Sequence, residues 1–446
     1  LRPNLEREIL VLVPALPPTP RALKLCQHLL SFDWRPCLLA PKRPDRADWR
    51  FGGLPEDVHV ETTRFLRPLS ERLRPRGASA KATSREQGPE AGRAGSFGIL
   101  GGLARRALLW ANTPDDAAGW LPFAVARALK LARERPIRAL LATGPPFTTV
   151  VAGSLVARAT GLPLVADFRD AWTLDEADPF GTIGGNFRAP FGRPRRKALR
   201  WLEERCLSAS GLVLFTSRFT QDRYLETFPA LKEKALLLLN GVDEGDYEAP
   251  PERLDGFTFT CIGSFHEFQW PQVDLLLAAL ALARERYSAF ATARLRLGGF
   301  MGTAFTERLN QGIAARGLAA TVCVEGVMPH ARAVALQKGS GALVLFAGAN
   351  RFIRLTKVSD CMAIGRPTLA MAAADGETGR CIREIGGHVY SGASTEELAG
   401  ILWELFQQGP PAIAPEAPFP FPYPHPLHWR TSVERLARRL DALGPR

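Results

Sequence analysis

Short apolar runs alternate with helix-period segments along most of the chain. Ile9–Val13 forms a run of strand length, Pro14–Pro20 a Pro-rich loop, and Leu23, Cys26, Leu29 and Leu30 recur at helical spacing before a second run, RPCLLA. VHVET near residues 58–62 reads as a third strand. The alternation resumes with a helix over Leu121–Arg135, the strand IRALLAT, the turn GPPFTT, a helix over Thr149–Thr160 and the strand LPLVADF. A charged helix to about Ser208, the strand GLVLFTS, a helix from Arg218 and the strand ALLLLNGVDEGDY complete this half. Runs apolar at every position, rather than at alternate ones, predict parallel strands buried on both faces.

Residues 244–256 (EGDYEAPPERLDG) are polar and Pro-bearing and read as a linker. Beyond them the pattern repeats: strand FTFTCIGSF, helix Val273–Arg286, strand ARLRLGG, helix Thr303–Arg316, strand TVCVEG, helix His330–Gln337 and strand GALVLFA. A loop, a helix over about Thr356–Ala363 and a strand after Gly365-Arg366-Pro367 follow. Ser394 and Glu397 form a capping box at the head of STEELAGILWELFQQ. The predicted architecture is α/β, with domains at 1–243 and 257–425 and a terminal helix over 426–446, which the extended strap PAIAPEAPFPFPYPHPLHW can carry back to the first domain.

Length agrees, since 446 residues exceed one ordinary core and suit two domains of about 200 residues. No stretch reaches the ~18 apolar residues of a membrane span, and the N-terminus reads as a strand rather than a leader, so the expected location is cytoplasmic. Seven scattered cysteines without metal-ligand spacing read as buried thiols. The net charge of +12 suits anionic partners, but it is mostly arginine in a chain rich in Ala, Arg, Pro and Gly, a compositional bias that discounts charge as a functional clue. Arg64–Arg106 holds ten basic residues against three acidic ones, so a mobile basic insert is expected at about 68–100. The following GILGGLARRALLWAN reads either as a packed helix or as a basic amphipathic helix on the inner face of an anionic membrane. No basic motif interleaved with aromatics supports nucleic-acid binding.

Candidate chemistry concentrates where strands empty into loops. After the first-half strand LPLVADF come Asp167, Arg169 and Asp170, readable as polar cleft residues or as a salt-bridged loop. In the second half Arg351, Arg354 and Lys357 gather near a helix N-terminus. Cations are mildly unfavourable there unless an anion offsets them, although Lys357 taken alone reads more readily as a solvated first-turn lysine. The Pro14–Pro20 loop lacks the glycines of a dinucleotide fingerprint, so no NAD-type cofactor is expected. No carboxylate triad or D-x-D signal points to a metal.

Taken in order, the Pro-rich loop with RALKLCQHL, then DFRDAW, TSRFT, LNGVD, IGSF, LGG, VEGVMPHARAVALQKGSGALVLF and TKVSDCMAIGRPTLA resemble the family-4 glycosyltransferases. These have the GT-B fold, two Rossmann-like domains facing a cleft, and the likeness is strongest to their bacterial polysaccharide branch. The resemblance implies a retaining, metal-independent hexosyltransferase that uses a nucleoside diphosphate sugar and a saccharide or lipid-linked acceptor. It implies diphosphate contacts from Gly263, Ser264, Arg351, Arg354, Thr356 and Lys357, with Lys357 assisting the leaving group. It further implies a ribose contact from Asp360, and places Arg169 and Asp170 near the reacting sugar or acceptor hydroxyl.

Three departures accompany it. Phe352 stands where the first glutamate of the E-x7-E pair is expected, Arg169 where many members carry histidine, and His266, Glu267 and Gln269 where a basic residue often follows the IGSF-like turn. Two alternatives follow: a non-catalytic glycosyltransferase-like subunit, or a GT-B nucleotide-sugar epimerase, which needs cleft carboxylates and histidines that this chain does not evidently supply.

Overall fold

The structure, a computed structural model, describes residues 7–42, 53–66, 112–174, 192–409 and 419–444. The basic insert, the segment GILGGLARRALLWA before Asn112 and part of the strap fall outside them. Among the described residues, one compact unit comprises those up to Asn240 and from Trp429 onward, and a second comprises Gly241–His428.

The first unit is a seven-stranded parallel sheet of β1 (Arg7–Leu12), β2 (Trp34–Pro41), β3 (His59–Thr63), β4 (Ile137–Gly144), β5 (Leu164–Phe168), β6 (Ser210–Phe215) and β7 (Ala235–Leu237), in the order β3-β2-β1-β4-β5-β6-β7. Leu10 and Leu12 enter one apolar layer and Ile9, Val11 and Val13 the other, which is why β1 reads as an unbroken apolar run. The first layer is covered by α2 (Leu121–Glu134), α3 (Thr148–Thr160) and α4 (Gly192–Ala209). The second is covered by α1 (Pro20–Leu29) and by the terminal helix. Thr19 caps α1 by accepting from the Ala22 N–H at 3.4 Å, with Pro20 in the first turn. A further helix, α5 (Arg218–Thr227), joins β6 to β7.

The second unit is a six-stranded parallel sheet of β8 (Thr258–Ile262), β9 (Arg294–Gly298), β10 (Val322–Gly326), β11 (Ala342–Gly348), β12 (Thr368–Ala372) and β13 (His388–Tyr390), ordered β10-β9-β8-β11-β12-β13. Its helices are α6 (Trp270–Arg286), α7 (Thr303–Ala315), α8 (His330–Gly339), α9 (Lys357–Ile364), α10 (Glu377–Glu384) and α11 (Thr395–Gln407). The sequence pattern missed α10 and β13. Ser394 caps α11 by accepting from Glu397 N–H at 3.2 Å, but the Glu397 carboxylate accepts from the Tyr390 hydroxyl at 3.4 Å. The terminal helix α12 (Trp429–Asp441) buries Trp429, Val433, Leu436 and Leu440 in the same layer as Leu25 and Leu29 of α1.

Residues 244–256 are packed rather than free. The Lys338 ammonium donates to the carbonyls of Tyr247 and Ala249, and Glu252 N–H donates to the Ala335 carbonyl at 2.8 Å. Tyr247 stacks on Phe419, with centroids 5.8 Å apart. Polar composition does not reveal this, because the partners of Tyr247, Ala249 and Glu252 lie remote in sequence.

Candidate functional site

In each sheet the strand order reverses between two adjacent strands, β1 and β4 in the first unit, β8 and β11 in the second. Ligands of open α/β sheets bind beyond the carboxyl ends of such strands. In the second unit this position is framed by Gly263 and Ser264 after β8, Gly299 after β9 and the head of α9 after β11.

Lys357 is the first residue of α9, and its side chain lies across Gly263: a Cβ there would fall 2.2 Å from Lys357 Cε and 2.5 Å from Nζ. Only a residue without a side chain admits the lysine at this place. Behind it, Gly263 N–H donates to the Gly298 carbonyl at 2.8 Å. Gly299, at φ +121°, approaches so closely that a Cβ would sit 1.9 Å from the Gly263 carbonyl oxygen. The lysine's charge favours the ionised forms of Asp360 and of the buried thiols Cys261 and Cys361. It opposes the positive end of the α9 dipole, an arrangement that a bound anion would offset.

Asp360, one turn along α9, accepts from the Tyr247 hydroxyl at 2.5 Å. Burial pushes its carboxyl above the usual carboxylate range, opposed by the Tyr247 hydrogen bond and by Lys357 and His330. Burial and the Asp360 carboxylate together drive the Tyr247 phenol upward. Sequence reading gave no hint of Tyr247, which lay in the presumed linker.

The other predicted second-unit residues separate. Thr356 is exposed at the N-cap of α9, with no side-chain capping bond, and Ser264 is exposed. Arg354 is buried, donates to Ser359 Oγ at 3.1 Å and hydrogen-bonds Cys381, so it braces α9. Arg351 lies on the surface and pairs with Asp375 at 2.8 Å, both side chains more than half exposed. Phe352 N–H donates to Asn350 Oδ1 at 2.9 Å. Glu377 N–H donates to the Arg351 carbonyl at 2.9 Å, and Thr378 Oγ1 donates to the Ile353 carbonyl at 2.7 Å while accepting from Leu355 N–H at 3.1 Å. The head of α10 thereby fixes the loop that delivers Lys357.

Where a basic residue was expected after the IGSF-like turn, the structure places two amide staples. Gln269 joins His266 N–H (2.9 Å) to the Phe346 carbonyl (2.6 Å), and Gln272 joins Gly348 N–H (3.0 Å) to the Met371 carbonyl (2.9 Å). They satisfy polar groups at the carboxyl ends of β11 and β12.

In the first unit DFRDAW is largely a structural knot. Asp167 is fully buried and takes Arg21 Nη2 at 2.8 Å, Arg21 Nε at 3.0 Å and Thr143 Oγ1 at 2.8 Å, while Arg21 also donates to the Leu238 carbonyl at 2.9 Å. Of the two sequence readings, the salt bridge holds for Asp167. The Arg169 guanidinium donates to the Pro145 carbonyl, the Arg169 backbone N–H donates to the Gly144 carbonyl at 2.9 Å, and the Arg169 backbone carbonyl accepts from Thr216 Oγ1 at 2.6 Å. Burial works against its charged form, while Asp170 and Asp167 favour it. Asp170 follows, half-buried at the loop surface.

The head of α3, which follows β4 as α9 follows β11, is filled differently. Asp115 accepts from Thr148 N–H at 3.0 Å and from Thr148 Oγ1 at 2.7 Å, so a carboxylate of the chain itself caps this helix. Burial raises its pKa, and the hydrogen bonds to Thr148, Ala117 and Phe147 oppose the rise.

A model of the glycosyl transferase 4-like domain matches residues 18–241, half of the chain. The chain belongs to this glycosyltransferase family. Comparison with curated proteins finds no match. Among solved structures, this glycosyltransferase is similar to sucrose-phosphate synthase from Thermosynechococcus elongatus: 14% identity, TM-score 0.59, 98% of this chain and 94% of that one covered. It is similar to Anabaena HepE in complex with UDP-glucose: 17% identity, TM-score 0.60, 98% and 100% covered. It also resembles a putative UDP-N-acetylglucosamine 2-epimerase from Listeria monocytogenes: 9% identity, TM-score 0.53, 98% and 96% covered. These likenesses establish the GT-B fold of two Rossmann-like units. The family match lies on the first unit, whereas the lysine-bearing helix head lies in the second.

Proposed function

We propose that this glycosyltransferase moves a hexosyl group from a nucleoside diphosphate sugar to a hydroxyl of a saccharide or lipid-linked acceptor, with retention of anomeric configuration. The observation that carries the donor reading is Lys357 seated over Gly263 at the head of α9. The corresponding helix head in the first unit is occupied by Asp115, which disfavours a second anion there. HepE was solved with UDP-glucose, which supports a nucleotide sugar as donor.

In this reading the diphosphate lies against Gly263, Ser264, Thr356 and the α9 N-terminus, and Lys357 neutralises the charge that grows on the leaving phosphate. Asp360 faces the ribose end of the donor, held in orientation by Tyr247. Arg351 lies at the rim, where it would exchange Asp375 for a phosphate oxygen, and Arg354 contributes by bracing the helix. On the first unit, Asp170 is the residue assigned to the reacting sugar or acceptor hydroxyl, with Arg169 holding its loop. The charge that a metal would supply comes from Lys357, so the reaction is read as metal-independent and free of cofactors. Surface polysaccharide or glycoconjugate synthesis on the cytoplasmic side of an anionic membrane is the setting that fits the motif order and the basic composition.

Incubation with a panel of labelled nucleotide sugars tests this reading. Transfer to a saccharide acceptor, or slow release of free sugar with the anomeric configuration kept, is expected. An epimerised donor would favour the second reading, a GT-B epimerase, which rests on the structural likeness to the Listeria protein.

A further inference from the structure

Helix α4 buries Leu199, Glu203, Cys206 and Leu207, and turns Lys197, Trp201 and Arg205 outward in a line at intervals of four residues. Trp201 is 55% exposed, and the Arg205 guanidinium sits 5.2 Å from its ring centroid. A shallow hollow beside the indole is lined by Arg196, Lys197, Arg200 and Glu204, and Glu204 is paired with Arg200 at 3.2 Å. The adjoining α3 is coupled to α4 through the Ser154–Cys206 hydrogen bond and through Arg158, which donates to the Arg205 carbonyl at 3.2 Å. It adds Leu155, 45% exposed.

From this arrangement we infer that the outer α3–α4 face is the surface by which the first unit rests on an anionic lipid bilayer. An exposed indole, with an exposed leucine on the adjoining helix, carries apolar area that water does not reward. An indole with a cationic surround suits the headgroup boundary, where its ring enters the acyl edge and the cations meet lipid phosphates. The hollow is net cationic once Glu204 is counted with Arg200, so charge complementarity selects anionic over zwitterionic lipid. The inference rests on the membrane setting proposed above and gives it a location among the described residues.

Flotation of the intact protein with vesicles provides the test. Binding is expected to vesicles of phosphatidylcholine containing phosphatidylglycerol and not to phosphatidylcholine alone, with a blue shift in the fluorescence that is lost in Trp201→Phe. Lys197→Glu combined with Arg205→Glu should lower partitioning by about tenfold or more, since each basic residue near such a surface adds about 1 kcal/mol. Trp201→Ala should weaken binding while leaving UDP-induced thermal stabilisation unchanged. Failure of the wild-type protein to float with anionic vesicles overturns the membrane setting itself. Wild-type flotation that both variants retain overturns the α3–α4 face alone. Concentration-dependent dimerisation abolished by Trp201→Ala, with no flotation, would assign the face to a second copy of the chain and overturn the inference.

Discussion

The Tyr247 hydroxyl lies 2.5 Å from Asp360 Oδ1 although the residues stand 113 positions apart, joining the segment before β8 to the first turn of α9. Asp360 is half-buried and desolvation raises its pKa, so the hydrogen bond is costly to leave unmade. Tyr247→Phe keeps the stacking on Phe419 and removes only the donor. It should destabilise the second unit by about 1 to 3 kcal/mol and weaken UDP binding by loosening the helix that carries Lys357. Calorimetry with UDP and urea unfolding check the two effects. An unchanged affinity would mean that Asp360 and α9 keep their positions without the tyrosine.

Lys357→Ala removes the cation assigned to the diphosphate. A charge-assisted hydrogen bond contributes about 1.5 to 3 kcal/mol, so UDP affinity should fall by roughly ten- to a hundredfold, with little change in melting temperature. Equal UDP affinity in wild type and variant would remove the donor site from this helix head.

Gly263→Ala tests the same geometry from the opposite side. The new methyl would meet the flexible end of Lys357, which can swing away, so the fold should survive while the ammonium leaves its place. Its loss of UDP affinity should not add to that of Lys357→Ala, since both act on one contact. Gly299→Ala is the contrast: its methyl would meet the Gly263 carbonyl at 1.9 Å on a backbone at φ +121°, so loss of stability is expected first. Additive losses in the Gly263→Ala, Lys357→Ala cycle would show that the glycine acts independently of the lysine.

The fold was legible because β1, β4 and β11 are buried on both faces and so carry apolar runs spaced by helices, the pattern of a parallel sheet. The contacts of polar side chains were not. Arg21 follows a Pro-rich loop with no local cue, yet it closes on Asp167, 146 positions away. Arg354 and Arg351 look alike in sequence; one is buried against Ser359 and the other is on the surface with Asp375, because Thr378 and Glu377 of α10 fix the loop between them. That Lys357 stands at a helix head was legible because such a position can be read locally. Tyr247 was missed because its partner is remote in sequence.

The Arg21–Asp167 pair predicts a loss confined to stability. Breaking a buried ion pair by removing one partner leaves a stranded charge and costs about 3 to 5 kcal/mol. Asp167→Ala should therefore lower the unfolding midpoint of the first unit while the UDP affinity of the second is retained. A stable variant that has lost sugar transfer would instead make Asp167 a residue of the chemistry.

Glu203 makes stability depend on pH. It is fully buried, accepts from the hydroxyls of Tyr224 and Thr173 and from Thr173 N–H at 3.3 Å, and pairs with Arg200 at 3.4 Å. Burial outweighs these partners and raises its pKa above the ordinary glutamate value. A carboxyl whose pKa is raised by folding binds its proton more tightly in the native state. Its contribution to stability is therefore complete below the unfolded value of about 4.3 and declines as pH rises through the folded value. Glu203→Gln cannot titrate. Relative to that variant, the wild type should gain stability as pH falls toward the unfolded glutamate value of about 4.3, read as the difference in urea midpoints of the first unit. A difference that stays constant, or that shrinks toward acid, would show that the hydrogen bonds from Thr173 and Tyr224 hold the carboxylate ionised despite its burial.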